Sequence, residues 1–363
     1  PKPPTPNSSP TARNMTLKAH RQNIFGLIAM SLLATTALTD MMQAQEQRQS
    51  RDSIRAQAED SVQQFPVLPQ AITSFGAAVV GDYAYVYGGN HGEAHEYSRL
   101  GQSNELLRVN IQDPSEWEKL PESDRLQGLA MVAYDGNLYR VGGFAARNEA
   151  GEDQDLWSTD SFARFNIADN KWEELPPLPA PRSSHDATML GSVLYVVGGW
   201  SMQGDAQTKW HDTAYAIDLA ADELEWRELP APPFQRRAIS MAAAGGKMYV
   251  IGGMEPNGTT VEVACFDTGS NKWETGPSLP GEGMEGFGSS ACAMDDQLFV
   301  STYGGNVYKL DQDANAWAKV TTLQPGRFFH RMVPASNSLL LIGGANMDIG
   351  RFRETDVVSI SEE

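Results

Sequence analysis

Between residues 62 and 360 the chain alternates short apolar runs with polar, glycine-marked turns, and the alternation repeats in a fixed order. Each unit has three elements. The first is an aromatic followed three residues later by an aliphatic and usually a proline: Phe65-Pro-Val-Leu-Pro69, Trp117-Glu-Lys-Leu-Pro121, Trp172-Glu-Glu-Leu-Pro176 and Trp226-Arg-Glu-Leu-Pro230, with Trp273 and Trp317 as looser copies. The second, about 20 to 26 residues on, is an apolar strand closed by two glycines: Tyr85-Val-Tyr-Gly-Gly89, Tyr139-Arg-Val-Gly-Gly143, Tyr195-Val-Val-Gly-Gly199, Tyr249-Val-Ile-Gly-Gly253 and Leu340-Leu-Ile-Gly-Gly344. At Phe299-Val-Ser-Thr302 the glycines are missing. The third is a short strand such as Tyr215-Ala-Ile-Asp218, followed by a polar turn and the next tryptophan.

Successive aromatic anchors lie 52, 55, 54, 47 and 44 residues apart, a period that suits a four-stranded antiparallel sheet with its loops. Each unit reads as strands a, b, c and d, with the glycine pair closing b and the tryptophan on d. Glycine permits close approach of a neighbouring sheet and unusual backbone angles. The large aromatic fills the wedge between neighbours. A sheet apolar on both faces must stack to bury them. These motifs resemble the Kelch repeat family, and the resemblance covers roughly residues 62–360. It implies an all-β fold, a Kelch-type β-propeller of four-stranded antiparallel blades, and the accounting of strands makes it a six-bladed Kelch-type β-propeller. Phe65 to Pro69 is an outer element with no blade before it, and the last unit lacks one after Trp317. Pairing them closes the ring and hides two sheet edges, so this N-terminal segment is expected to be the outermost strand of the last blade.

Antiparallel order sends the a-to-b and c-to-d connections to one end of the ring and the b-to-c and d-to-a connections to the other. The a-to-b links are tight turns, Gly81-Asp82 and Gly191-Ser192 among them. The b-to-c links are long in blades 1 to 3, moderate in blade 6 and short in blades 4 and 5. Long loops on a rigid scaffold are where binding chemistry gathers.

Net charge, 28 basic against 46 acidic residues, is −18, which disfavours nucleic-acid and anionic-membrane partners. The two cysteines, Cys265 and Cys292, exclude a disulfide scaffold and a multi-thiolate metal site. They are open to pairing with each other or to packing as buried thiols. Residues 15–44 follow the order of a secretory signal: Lys18, His20 and Arg21, then an uncharged run too short to span a bilayer. The expected organisation is an unfolded extension at 1–14, a signal at 15–44, a linker at 45–61 and the propeller at 62–363. An exported, periplasmic or extracellular protein without a stable membrane span follows.

Candidate ligand-binding residues fall on the long-loop side. His91, His95 and His211 lie in b-to-c loops, while His185 and His330 sit where strands a begin. The run from His91 to Glu96 has imidazoles and carboxylates, but its spacing matches no rigid metal motif, and no metal or cofactor is expected. Arg182, Arg236 and Arg327 recur thirteen residues before the first residue of the double-glycine motif. Either they form an anion site at the channel mouth or each pairs with a neighbouring blade's backbone or acid. Trp200, with Tyr97, Phe144, Trp157, Trp210 and Phe328, supplies rings suited to a sugar face, and Glu93, Glu255 and Asp212 supply carboxylates.

Two functions follow. One is a binding module for a glycan or protein ligand. The other is a mutarotase or epimerase for an acidic sugar, because Gly326-Arg327 and the run from Ser338 to Gly344 resemble the sialic acid mutarotases. That resemblance implies Arg327 or Arg236 as the carboxylate grip and Glu255 as the acid/base. Copper chemistry of the galactose oxidase kind is disfavoured, since Cys265 falls in a blade strand and no matching motif appears.

Overall fold

Strand b of each unit is short and apolar on both sides, and it ends buried between neighbouring sheets. The computed structural model describes residues 65–360 apart from 314, all within the unit Ala58–Glu363. The expected extension at 1–14, signal at 15–44 and linker at 45–61 lie outside the described residues. Blade 1 consists of Gly76–Val80, Tyr83–Tyr87, Leu106–Asn110 and Glu118–Leu120. Blade 2 consists of Ala130–Tyr134, Asn137–Val141, Phe162–Asn166 and Lys171–Glu174. Asp186–Leu190, Val193–Val197, Ala214–Asp218 and Arg227–Glu228 form blade 3, and Ser240–Ala244, Lys247–Ile251, Val263–Asp267 and Lys272–Thr275 form blade 4. Blade 5 is Ser290–Met294, Gln297–Ser301, Asn306–Asp311 and Ala316–Thr322, and blade 6 is Arg331–Ala335, Ser338–Ile342 and Thr355–Ser359. All pairings within the blades are antiparallel, in the order a-b-c-d. The six-bladed propeller inferred from the repeat is therefore the architecture observed.

Six hydrophobic clusters fill the six seams between blades, the last one joining blade 6 to blade 1. Two recurring contacts explain the sequence repeat. A Cβ on Gly142, which has positive φ, would stand 2.6 Å from the Arg182 carbonyl oxygen of the next blade, so only glycine allows the approach. Each outer tryptophan donates its indole N–H to a proline carbonyl one blade back: Trp172 to Pro121, Trp226 to Pro176, Trp273 to Pro230 and Trp317 to Pro277, all at 2.7–2.9 Å.

The same contact locates the N-terminal segment. Trp117 donates to Pro66 at 2.9 Å, so Pro66, and not Pro69, is the counterpart of Pro121 and Pro176. Leu68 N–H donates to Arg353 O at 2.8 Å, as Leu178 donates to Asp160 and Leu279 to Val261 in their own blades. The segment thus belongs to the last blade, as the closure argument requires, but it lies three residues further along than expected. Phe65 to Pro69 is the connection leaving an outer strand and is not itself a strand, and any strand before it lies outside the described residues.

A second closure rings the channel. Gly128, Ser184, Ala238, Gly288 and Phe329 each donate their N–H to the carbonyl of the equivalent residue one blade back, and Ser74 donates to Phe329 to complete the circle. All six have positive φ.

Candidate functional site

The b-to-c loops rise on one side of the ring, at residues 88–105, 142–161, 198–213, 252–262, 302–305 and 343–354. Four carry a short ribbon, such as Phe144–Ala146 with Leu156–Ser158 and Trp200–Ser201 with Lys209–Trp210. They are fastened to one another. Gln102 of the first loop donates to Phe144 O and accepts from Ala146 N–H. Asn148 donates to Tyr97 O, Ser158 N–H to Met202 O, and Arg351 to His91 O. Buried polar ties of this kind make a preorganised surface from loops.

The three recurring arginines do not form the anion site. Arg182 lies buried under the loop of its own blade, donating to Gly198 O, Thr213 O and Thr213 Oγ1 and lying over the Tyr215 ring. Arg236 donates to Glu255 (2.8 Å), Glu262 O and the Glu262 carboxylate (2.5 Å). Arg327 pairs with Asp356 and donates to Gly343 O and Glu354 O. Each guanidinium braces the ends of strands b and c in its own blade. The arginines are thus paired inside the protein, though with their own blade and not, as the alternative expected, with a neighbouring one. Glu255, the candidate acid/base, has one oxygen held by Arg236.

His185 and His330 are buried at positions that hold Phe75, Leu129 and Ile239 in other blades. A Cβ on Gly142 would come 2.7 Å from the His185 ring, which shows that the imidazole packs against the preceding blade. Burial pushes His185 well below the usual histidine range and His330 to about 3, with neighbouring arginines adding to the effect. His211 is also buried, lies within hydrogen-bonding distance of Pro181 O, and is lowered to about 4 by burial and Arg182. Burial thus favours the neutral form of all three. His91 and His95 remain in the first long loop, and no group of three or more metal-ligating side chains gathers among the described residues. Cys265 and Cys292 are both free and buried, with burial raising the Cys292 thiol to about 12.

Two charges missed by the sequence reading control the channel. Arg331 reaches across it, with Nη1 at 3.0 and 3.2 Å from the Asp186 carboxylate, Nε donating to Phe75 O and Nη2 to Leu129 O. Asp186 also accepts from Met241 N–H. The pair joins blade 6 to blade 3, directly opposite in a ring of six. The remaining cavity, about 50 Å3, is far below the roughly 300 Å3 or more of a small-molecule pocket. Aligning the repeats shows the signal: the first position of strand a is Gly76, Ala130, Ser240 and Ser290 elsewhere, and only blades 3 and 6 place a charge there.

On the rim a different set of arginines is available. Arg125, Arg147, Arg237 and Arg351 meet no carboxylate among the described residues. Arg237 lies flat over Trp200 at 4.0 Å and near Trp210 at 5.6 Å, and Arg147 lies over Trp157 at 4.0 Å. Arg237 and Arg351 both act on Tyr97, opposing the rise in pKa that burial gives its hydroxyl. Arg125 and Arg351 both act on His91, adding to the lowering that burial causes. The guanidinium groups thus surround Tyr97 and His91 on a protein whose overall charge is strongly negative. Beside them a cleft of about 650 Å3 opens between blades 1 and 2, lined by Arg99, Arg125, Arg147, Trp157, Asp124 and Asp160 among others. Trp200, Trp210, Tyr97 and Phe144, expected at the mouth, are brought together as two edge-on pairs. Strand alternation could have found Arg237, since it follows inward-facing Arg236 and so points the other way.

A family model for the KLHDC2/KLHL20/DRC7 Kelch-repeats domain matches residues 128–344, more than half of the chain, so the protein belongs to the Kelch-repeat family. Among curated relatives, Kelch repeat and BTB domain-containing protein 12 of Danio rerio is 24% identical over 241 residues, covering 60% of this chain and 37% of that protein. The N-acetylneuraminate epimerase of Haemophilus influenzae (strain PittEE) is 26% identical over 286 residues, covering 68% of this chain and 72% of the epimerase. The chain spans between about a fifth and just over half of the length of the first four curated relatives it matches. A solved structure of YjhT superimposes with a TM-score of 0.66 at 18% identity, over 82% of this chain and 98% of that one, and carries the same fold.

Proposed function

We propose that the protein is an interaction module whose long-loop face takes an acidic ligand, a carboxylate-bearing glycan or an acidic segment of a protein. The observation that carries this reading is the group of four rim arginines without carboxylate partners, two of them stacked on tryptophan. A guanidinium held flat on a ring keeps its fork of donors oriented, and an incoming carboxylate neutralises a charge that the protein leaves exposed. Titration with glucuronate, sialic acid, glucose and a glutamate-rich peptide, followed by thermal shift, tests it. An acidic ligand stabilises the wild type and not the Arg237→Gln/Arg351→Gln variant, whereas equal response to neutral glucose refutes the reading. We further propose that it acts after export, on the leader-like order of residues 15–44.

A second reading, mutarotation of an acidic sugar, is favoured by the epimerase match, which covers over two thirds of both chains. In that case Arg237 and Arg351, and not the buried Arg236 and Arg327, hold the carboxylate. NMR exchange between anomers of sialic acid, accelerated by the protein and lost in the same double variant, supports the enzyme. Binding without acceleration supports the module.

A further inference from the structure

Blade 5 breaks the repeat, and the break leaves a cavity. Thr302 and Tyr303 stand where other blades have the glycine pair, and the b-to-c loop shrinks to residues 302–305. With no long loop to cover it, a cavity of about 450 Å3 opens there, within the range of ligand pockets. Tyr303, Tyr308, Pro280 and Met284 are among its walls, and Met284 is 40% exposed, one of the few large apolar side chains at the surface. Tyr303 also stacks on Phe328 at 5.4 Å, so its ring is fixed.

The polar groups of this cavity are the reverse of those around Tyr97. Glu282 lies at an exposed position and has no hydrogen bond from its side chain. Glu285 is half-buried, with Oε2 accepting from Thr302 Oγ1 (2.5 Å) and from Gly304 N–H. Its Oε1 accepts nothing. No lysine or arginine lines the cavity. The threonine that replaces glycine is therefore what positions the carboxylate.

We propose that this cavity binds a lysine side chain of a partner polypeptide. A four-carbon stem matches walls of tyrosine, proline and methionine, and a single ammonium matches one free carboxylate oxygen with an aromatic ring beside it. Arginine fits less well at the inner carboxylate, because a fork of donors needs both oxygens of Glu285 and one is taken, while Glu282 at the exposed edge adds charge without a fixed geometry. The proposal is independent of the anion-binding reading, since it uses none of the rim arginines.

The test is NMR titration of the full chain with a short acetylated, amidated Gly-Lys-Gly peptide, its norleucine counterpart and tetramethylammonium. Saturable, salt-sensitive binding of the lysine peptide is expected, with the norleucine peptide at least tenfold weaker. Glu282→Gln, at an exposed position that leaves folding intact, should weaken it at least threefold. Gly304→Ala places a methyl 2.6 Å from Glu285 Oε1 and should weaken it more by displacing that carboxylate. Equal binding of the two peptides, absence of binding, or indifference to both substitutions overturns the proposal. Tetramethylammonium binding more tightly than the lysine peptide overturns the choice of lysine in favour of a quaternary ammonium ligand.

Discussion

Arg236 and Arg237 are neighbours in sequence and face opposite ways. The first lies inside blade 4, with every donor nitrogen engaged, and the second rests on Trp200 at the rim. Their substitutions should separate accordingly. Arg327, buried like Arg236, leaves Asp356 and two carbonyls without a donor when changed to alanine, and urea unfolding should show a loss of about 3 kcal/mol. Arg237→Ala should stay within about 1 kcal/mol of wild type, because it removes a partly buried stacking contact and a weak hydrogen bond to Met254 Sδ but no ion pair. A large stability loss at Arg237 would make it another brace. The buried histidines predict a pH dependence. Their folded pKa values, about 3 for His330, about 4 for His211 and well below normal for His185, lie under the unfolded value of about 6.5. The unfolded chain therefore takes up protons that the folded chain refuses, and stability falls as pH drops from about 6.5 toward 4. Each imidazole contributes up to about 1.4 kcal/mol per pH unit. Asp186, raised by burial, acts in the opposite direction as a single group. His330→Phe, which copies Phe75 of blade 1, should flatten the slope measured between pH 7 and 5. An unchanged slope would show that His330 does not titrate as described.

Among the elements, strand b was legible in every blade from its apolar run, and in five of them also from the glycine pair, which answers one requirement, close packing against a neighbour. The a-to-b turns were legible for a different reason, the positive φ that glycines such as Gly81, Gly136 and Gly191 adopt in open space. The N-terminal segment was read correctly as part of the last blade but in a register shifted by three residues. Phe65-Pro-Val-Leu-Pro69 imitates the spacing of Trp117-Glu-Lys-Leu-Pro121, yet the alignment that matters pairs Pro66 with Pro121 through the Trp117 indole. Leu68, fully buried in the seam between blades 6 and 1, tests the closure. Leu68→Ala should cost about 2–5 kcal/mol by urea unfolding, as for a core leucine. A cost below about 1 kcal/mol would mean that the ring holds without this segment.

Across the whole molecule, the architecture was legible in the repeat, while Asp186, Arg331 and Arg237 were not singled out by it. Repetition reports what every blade needs, so Arg182, Arg236 and Arg327, found because they recur, proved to be braces. The residues on which the proposals rest lie where the repeat varies, Arg237 where another blade has Ser183 and Thr302 where others have glycine, and the opposite charges of Asp186 and Arg331 likewise vary one position in opposite blades. The last pair acts over the full width of the ring. A double-mutant cycle on Asp186→Ala and Arg331→Ala should give a coupling of about 1–3 kcal/mol, and a value near zero would show that the bridge does not hold the blades together. With the Asp186–Arg331 bridge across the channel, the proposed ligand recognition rests on the rim and on guanidinium groups that have no carboxylate partner. The most direct measurement is calorimetric titration of glucuronate and of the glutamate-rich peptide into wild type and Arg237→Gln/Arg351→Gln at low and high salt. Binding of at least one of the two that weakens with salt and is lost in the variant is the predicted result. Binding that survives both changes, or no binding of either acidic ligand, would contradict the account.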